Sequence, residues 1–177
     1  QLSMKKLLLI LLCAPMIGVG QDFDFNDLKG INSLKQFKKF SFEKEFTRIK
    51  EVDFCVTYAH SYDKESETAS VWSYYHLMNA ALRSRAFSFR LSNNNDGSSH
   101  PSFNRVLEQV KESCTFYDFI TVGLLFRERE KEFICYTCPG SKYPGKIGFS
   151  RGDDVDEIEI FTEEYIELLK MIMNTKH

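Results

Sequence analysis

The sequence lacks a strong excess of charge of either sign. Its 177 residues carry 23 Lys and Arg against 25 Asp and Glu, a formal net charge of -2. This near balance excludes a disordered acidic tail and a strongly basic nucleic-acid module, so we expect no nucleic-acid partner. Proline is scarce, with four residues, whereas 16 Phe, 8 Tyr, 1 Trp and five Cys are present. This composition favours one packed, β-rich domain, because the chain is too short for two large ones.

Long hydrophobic runs are missing, with one exception near the amino terminus. There Met4-Lys5-Lys6 precedes an apolar stretch that ends in Gly18-Val19-Gly20. The stretch is too short to span a bilayer as a helix, which needs about 20 apolar residues. A charged start and a small-residue end are typical of a cleaved signal peptide, and the run resembles those of secreted proteins from flavobacteria and related bacteria. We therefore predict a signal peptide over residues 1–20, starting at Met4, and export to the periplasm or the extracellular space.

Removal of that segment changes both the charge and the cysteine count. Without Lys5 and Lys6, 21 basic residues face 25 acidic ones, a net charge of -4. Cys13 leaves as well, and we expect no lipid on it because Leu12 stands where lipid attachment favours a small residue. An even number of cysteines in an exported chain indicates disulfides. The remaining candidates are Cys55, Cys114, Cys135 and Cys138.

The pairing of these cysteines follows from a hairpin and from elimination. A turn centred between Glu128 and Arg129 places Cys138 nearer than Cys135 to Cys114, so we predict a Cys114–Cys138 bond and then Cys55–Cys135. The Cys135-Tyr136-Thr137-Cys138 motif also allows thiol-redox chemistry, zinc binding or free buried thiols. A redox motif begins a helix, whereas this one runs into Pro139-Gly140, and a zinc knuckle needs a second cysteine pair.

The hydrophobic periodicity predicts an α+β domain over residues 21–177. Helices are expected at about 33–40, from Pro101 to Cys114, and after Thr162. Strands are expected at 52–60, 69–76, 86–91, 116–126, 131–138, 146–150 and 156–161. The links between strands are too short for crossover helices, so the sheet should be antiparallel. The predicted order is α-βββ-α-ββββ-α, with the helices on one face and a possible repeat of a helix-plus-meander unit.

Three aromatic residues of one strand are candidates for ligand contact. Side chains alternate along a strand, so Trp72 and Tyr74 share a face and Tyr75 points to the other. Outward aromatic rings on an exported sheet can stack against sugar rings or contact a protein partner. The alternative role for all three is to fill the core.

The histidines give little support for catalysis or metal binding. With a turn centred near Lys64-Glu65, His60 faces Ser70 and His76 faces Phe54, so the two histidines do not meet. Neither a Cys/His nucleophilic pair nor a histidine metal site therefore has local support. His100, which precedes Pro101, is interpreted as a helix-entry residue.

Two acidic or amide-rich runs are interpreted as solvated turns. A calcium loop needs oxygens at fixed alternate positions and a glycine at its bend. The run of Asp153, Asp154, Asp156, Glu157 and Glu159 lacks that spacing. The Asn93–Asp96 tract is interpreted in the same way.

No acid/base, nucleophile or metal constellation emerges from the sequence. We therefore predict a small exported binding or interaction domain with no catalytic residue, cofactor or metal and no membrane span in the mature chain. Its partner would be an unknown protein or glycan. One alternative is an envelope thiol-redox protein that uses Cys135 and Cys138. A second is a secreted inhibitor or immunity-type protein, which rests on fold-level analogy.

Overall fold

The computed structural model describes residues 22–79, 84–122, 130–140 and 145–174. The predicted signal peptide and the terminal His177 lie outside these residues. Within them the helices are α1 (Phe25–Leu28), α2 (Leu34–Glu43), α3 (Pro101–Ser113) and α4 (Glu163–Asn174). The strands are β1 (Thr47–Val52), β2 (Cys55–His60), β3 (Val71–Asn79), β4 (Ser84–Ser92), β5 (Thr115–Val122), β6 (Lys131–Thr137), β7 (Gly145–Ser150) and β8 (Val155–Thr162).

All eight of these strands form one antiparallel sheet in the order β1-β2-β3-β4-β8-β7-β6-β5. The sheet consists of two four-strand meanders joined along β4 and β8, where Phe87 pairs with Ile160 and Phe89 with Ile158. A helix precedes each meander, α2 the first and α3 the second. The predicted antiparallel α+β fold is confirmed, and the helix-plus-meander unit occurs twice in the topology.

The first meander has four strands where the sequence predicted three. The additional strand is β1, which lies between the predicted helix at 33–40 and the predicted strand at 52–60, where no strand was expected. Most of β1 is exposed, its sequence Thr-Arg-Ile-Lys-Glu-Val is charged, and a bulge between Arg48 and Lys50 interrupts its pairing with β2. Charged, bulged strands are common at sheet edges because they discourage pairing with other chains. Such a strand carries no clear period-two hydrophobic signal.

The main core lies between the sheet and helices α1, α2 and α3, on what we call the front face. Ser33 caps α2, where its hydroxyl accepts a hydrogen bond from the Gln36 backbone N–H at 3.4 Å. This helix directs the fully buried Phe37 onto the sheet. Its ring centroid lies 5.8 Å from Tyr58 and from Phe87. Twelve of the 25 aromatic residues of the sequence thus belong to the front-face core.

Helix α4 lies on the opposite, back face, so the prediction that all helices share one face is wrong. Tyr165 and Leu169 of α4 join a second buried cluster with Phe133 and Phe161. Phe161 stacks on Tyr165 with centroids 5.7 Å apart. Phe161 is the last apolar residue before Thr162, and its side chain points to the back face. A helix that begins directly after it continues on that face.

Candidate functional site

Three rings of β3 form a row on the back face. The Trp72 and Tyr74 centroids are 6.3 Å apart and those of Tyr74 and His76 are 5.6 Å apart, each pair with 19° between the ring planes. Tyr62 closes one end, with its ring edge-on to Trp72 at 5.6 Å. We call Trp72, Tyr74 and His76 the aromatic row. All three rings are partly exposed.

The neighbouring strands place mostly small side chains beside the aromatic row. Across β2, β3 and β4 the paired positions are Ala59–Trp72–Arg90, Thr57–Tyr74–Ser88 and Cys55–His76–Ala86. Directly opposed residues in antiparallel strands have Cβ atoms about 5 Å apart and point to the same face. The large rings of β3 therefore stand between two lines of smaller side chains, with Arg90 as the exception.

The third aromatic candidate, Tyr75, has a different environment. It points to the front face, is 8% exposed, and packs 5.4 Å from Phe87 between ring centroids. Core filling is therefore its role, as the sequence allowed. The back-face candidates for ligand contact reduce to Trp72 and Tyr74, with His76 added by the structure.

A charged group adjoins the aromatic row. The guanidinium carbon of Arg90 lies 5.3 Å from the Tyr74 ring centroid. Glu157 accepts a 2.7 Å hydrogen bond from Lys131 Nζ and lies 3.5 Å from Arg90 Nε. Glu157 is only 3% exposed, and the positive charges of Arg90 and Lys131 compensate for the burial of its carboxylate. Sequence patterns do not reveal this cluster, because its members come from three different strands.

Burial is the main cause that raises the pKa of the Tyr74 hydroxyl, with nearby Glu157 adding to the increase and Arg90 opposing it. Tyr74 is therefore protonated at neutral pH, and its hydroxyl remains both a donor and an acceptor. Together with the indole N–H of Trp72 it gives the row hydrogen-bonding groups beside apolar ring surface.

Cys55 and His76 are cross-strand neighbours, which the sequence analysis missed. Cys55 is a half-buried free thiol whose Sγ lies 3.7 Å from the Thr57 hydroxyl. The predicted register set His76 against Phe54, one residue away from its actual partner. A shift of one residue moves a side chain to the other face of the sheet, so the contact was hidden. A more exact location of the turn would have revealed it.

The other two described histidines lie at the opposite end of β2 and at the start of α3. His60 pairs with Val71, and its Nδ1 lies 2.9 Å from the Ser61 hydroxyl. His100 caps α3, with Nδ1 accepting a hydrogen bond from the Ser102 backbone N–H at 3.2 Å, which confirms its helix-entry role. Burial is the main cause that lowers the pKa of both imidazoles.

The four described cysteines form one disulfide and two free thiols. Sγ atoms of Cys114 and Cys138 are bonded, which ties the end of α3 to the end of β6. Cys55 and Cys135 are free, so the second predicted pairing is wrong. The strands β2 and β6 lie five strand spacings apart in the sheet, roughly 24 Å, whereas disulfides need Cα atoms within about 7 Å.

The thiol of Cys135 is expected to be unreactive. The residue is fully buried, and burial, with Glu159 as the next cause, raises its pKa to about 12. A turn centred between Glu128 and Arg129 would place Cys135 opposite Val122. Its actual partner is Asp118, so the hairpin is centred two residues earlier than predicted. The residues of that turn lie outside the described part of the chain.

The acidic run is only partly a solvated turn. Asp153 and Asp154 are exposed, but Asp156, Glu157 and Glu159 belong to β8 and are 1%, 3% and 2% exposed. The correction has a topological reason. β8 lies in the middle of the sheet between β4 and β7, so both of its faces are covered even where its side chains are charged.

Metal-binding groups and membrane-spanning helices are both absent from the described residues. These residues contain no group of three His, Cys, Asp or Glu side chains placed to hold a metal ion. None of the helices within this part of the chain is long and apolar enough to cross a membrane. Comparison of the chain with family models, curated proteins and solved structures finds no match. The site itself therefore carries the functional argument.

Proposed function

We propose that the protein is a small exported binding domain that recognises a saccharide through the aromatic row. The observation that carries this proposal is the nearly parallel series of Trp72, Tyr74 and His76 on the back face. Aromatic rings give sugars an apolar surface for their C–H faces, while adjacent polar groups bind hydroxyls. Export rests on the predicted signal peptide, and the disulfide between Cys114 and Cys138 is compatible with it.

The polar groups beside the row support a saccharide over a purely apolar ligand. Arg90 is exposed, lies against Tyr74 and is held by the buried Glu157, so an oriented charged donor stands next to the ring surface. Thr57 and Ser88 on the two flanking strands are buried, so the accessible polar groups of the site are those of the aromatic row and of Arg90. Binding sites of this kind combine a hydrophobic surface with a few oriented polar groups that set specificity.

The thiol-redox alternative has lost its geometric support. Its two cysteines do not act as a pair, since Cys138 is bonded to Cys114 and Cys135 is a buried thiol with a raised pKa. The alternative of an inhibitor or immunity-type protein stays a prediction, and no feature of the described residues favours it.

The tryptophan of the row is a built-in reporter, because the chain contains one Trp. The mature chain is titrated with maltotriose, cellotriose and chitotriose while the emission of Trp72 is followed. We expect a saturable change with one of the three sugars. Calorimetry with the same sugar then gives the affinity independently of fluorescence.

Two variants test the location of the site. Tyr74→Ala keeps the fluorescent reporter and should weaken binding at least tenfold, about 1.4 kcal/mol, because it removes the central ring. Phe42→Ala, at an 82% exposed ring of α2, is the matched control and should bind normally. Unchanged binding by Tyr74→Ala would move the ligand to another surface. The absence of any signal across the sugars would reject the saccharide assignment.

A further inference from the structure

Two loops that the sequence presents as separate turns meet at one end of the sheet. The first follows β4 and begins with Asn93, and the second precedes β8 and contains Gly152 and Asp153. The Asn93 side-chain amide donates hydrogen bonds to the carbonyl oxygens of Gly152 and Asp153, both at 3.0 Å. Its backbone N–H donates to the carbonyl of Asp154 at 2.9 Å. Asn93 therefore holds the two loops together.

This junction contains two buried oxygens without a hydrogen-bond partner among the described residues. They are Oδ1 of Asn93 and Oδ2 of Asp156. The amide orientation of Asn93 is fixed, because its NH2 group faces two carbonyl acceptors, so the unpartnered atom is the oxygen. Asp156 is 1% exposed, and its other oxygen accepts a 3.3 Å hydrogen bond from the Gly152 N–H. Gly152 thus contacts both side chains.

The junction collects negative charge and acceptors, and within the described part of the chain no basic side chain forms an ion pair with Asp156. A buried carboxylate is costly unless a positive charge or several donors compensate for it. The nearest basic residue in sequence, Arg151, instead contacts Asn104 Oδ1 at 3.3 Å and lies 5.5 Å from the Phe103 ring centroid. The exposed carboxylates of Asp153 and Asp154 add to the negative charge of the second loop.

We propose that this junction binds a calcium ion, with Asn93 Oδ1 and Asp156 Oδ2 as its buried protein ligands. Carboxylate and amide oxygens are hard ligands that calcium prefers, and its flexible coordination accepts water and loop oxygens for the remaining positions. A site with few charged ligands is expected to be weak, with a dissociation constant on the order of 0.1–1 mM, as in extracellular modules. The site is separate from the aromatic row, so its failure would leave the proposed sugar binding untouched.

Taken alone, neither of the two loops is predicted from the sequence to bind calcium. Neither loop has the spacing of a continuous calcium loop, and that statement remains correct. The structure brings together one ligand from the first loop and one from the start of β8, which sequence spacing cannot reveal.

The test compares thermal unfolding of the mature chain in a chelator and in 10 mM calcium. Because a ligand that binds only the native state stabilises it by mass action, we expect calcium to raise Tm by about 3–8 °C. Calorimetry should find one site per chain. Magnesium at the same concentration should act more weakly, and an equal effect would reject the assignment to calcium.

Variants of the two proposed ligands test the location of the calcium site. Asp156→Asn and, as a milder change, Asn93→Ser should both lose the calcium-dependent increase in Tm. The control Asp96→Asn should keep it, because the Asp96 carboxylate is engaged by Ser98 in the first loop. If calcium has no effect on the Tm of the native chain, the proposal is rejected. A calcium effect that survives in both variants would also overturn the proposal.

Discussion

The two meanders share a topology but bury different faces. In the first, α2 and its neighbour α1 cover the front face, and the aromatic row is left on the back. In the second, α4 covers the back face with Tyr165 and Leu169. Helix α3 packs on the front through Phe103, whose ring meets Phe149 at 5.8 Å. The position of one additional helix therefore decides which surface each half presents.

The same difference extends to the two edges of the sheet. β1 presents charged residues at its edge, whereas β5 exposes Phe116 at 50% and Phe119 at 53%. Between α3 and the β5–β6 edge runs a groove of about 810 Å³ that Phe119 and Ile134 help to line. The first half thus leaves a row of rings with a charged neighbour, whereas the second leaves a groove in which apolar side chains alternate with charged ones such as Lys111, Glu132 and Arg151. A ligand with hydroxyl groups fits the first.

The largest expected effect tests the front core of the first half. Phe37→Ala removes a fully buried ring that meets four others, Tyr58, Tyr75, Phe87 and Phe89. We expect a loss of about 3–5 kcal/mol in the free energy of unfolding, measured by denaturant titration. Phe42→Ala on the same helix is the control and should change it by less than about 0.5 kcal/mol. Equal effects would contradict the placement of α2.

The second prediction asks whether the disulfide compensates for the sparser ring packing of α3. Replacing Cys114 and Cys138 together by Ser opens a loop with a sequence separation of 24. The chain-entropy model gives a loss of about 3.5 kcal/mol. Hydrogen exchange should accelerate in β5 and β6 before β2 and β3. Uniform acceleration over both meanders would mean that they do not differ in local stability.

The third prediction tests the back core of the second half. A Cβ at Gly148 would lie 2.5 Å from a ring carbon of Phe161 and 2.9 Å from Cys135 Sγ. Gly148→Ala should therefore cost about 1–3 kcal/mol of stability, because the cluster has to shift. Gly30→Ala is the control, since no atom lies within 4 Å of its added Cβ. A neutral Gly148→Ala would show that the cluster under α4 is loosely packed.

Much of this architecture could be predicted from the sequence, because strands with alternating side chains and capped helices carry local signals. The β4 pattern around Phe87 and Phe89 and the helix after Pro101 are examples. The face of α4 could not be predicted. Local periodicity identifies the apolar stripe of that helix, but the side of the sheet depends on where β8 pairs, which is a long-range property.

The candidate site was less predictable than the fold. Trp72 and Tyr74 were identified from alternation alone, which needs no knowledge of neighbouring strands. Their partners Arg90 and Glu157 come from other strands, and His76 was misaligned by one residue in the hairpin. Turn positions are weakly encoded in a charged segment such as Lys64-Glu65. Register errors there change which side chains meet.

The smallest expected effect is the pH dependence of stability that two buried histidines cause. His60 and His100 have folded-state pKa values below the ordinary 6.5, mainly because burial disfavours their charged forms. Between the folded and unfolded pKa values the unfolded chain binds more protons. Stability is therefore complete above about pH 6.5 and falls as the pH decreases below it. The nearby carboxylates of Glu45 and Asp22 oppose the shifts of His60 and His100, respectively, which limits the effect.

Denaturant titrations at pH 7.5 and 5.5 measure this decrease. The double variant His60→Asn and His100→Asn removes both imidazoles and should show a smaller decrease than the native chain. An unchanged decrease would assign the pH dependence to carboxylates instead. Because His100 ends the same connection between β4 and α3 that begins with Asn93, the titration is run with and without calcium. A pH dependence that calcium leaves unaltered would show that the histidine end and the calcium junction act independently.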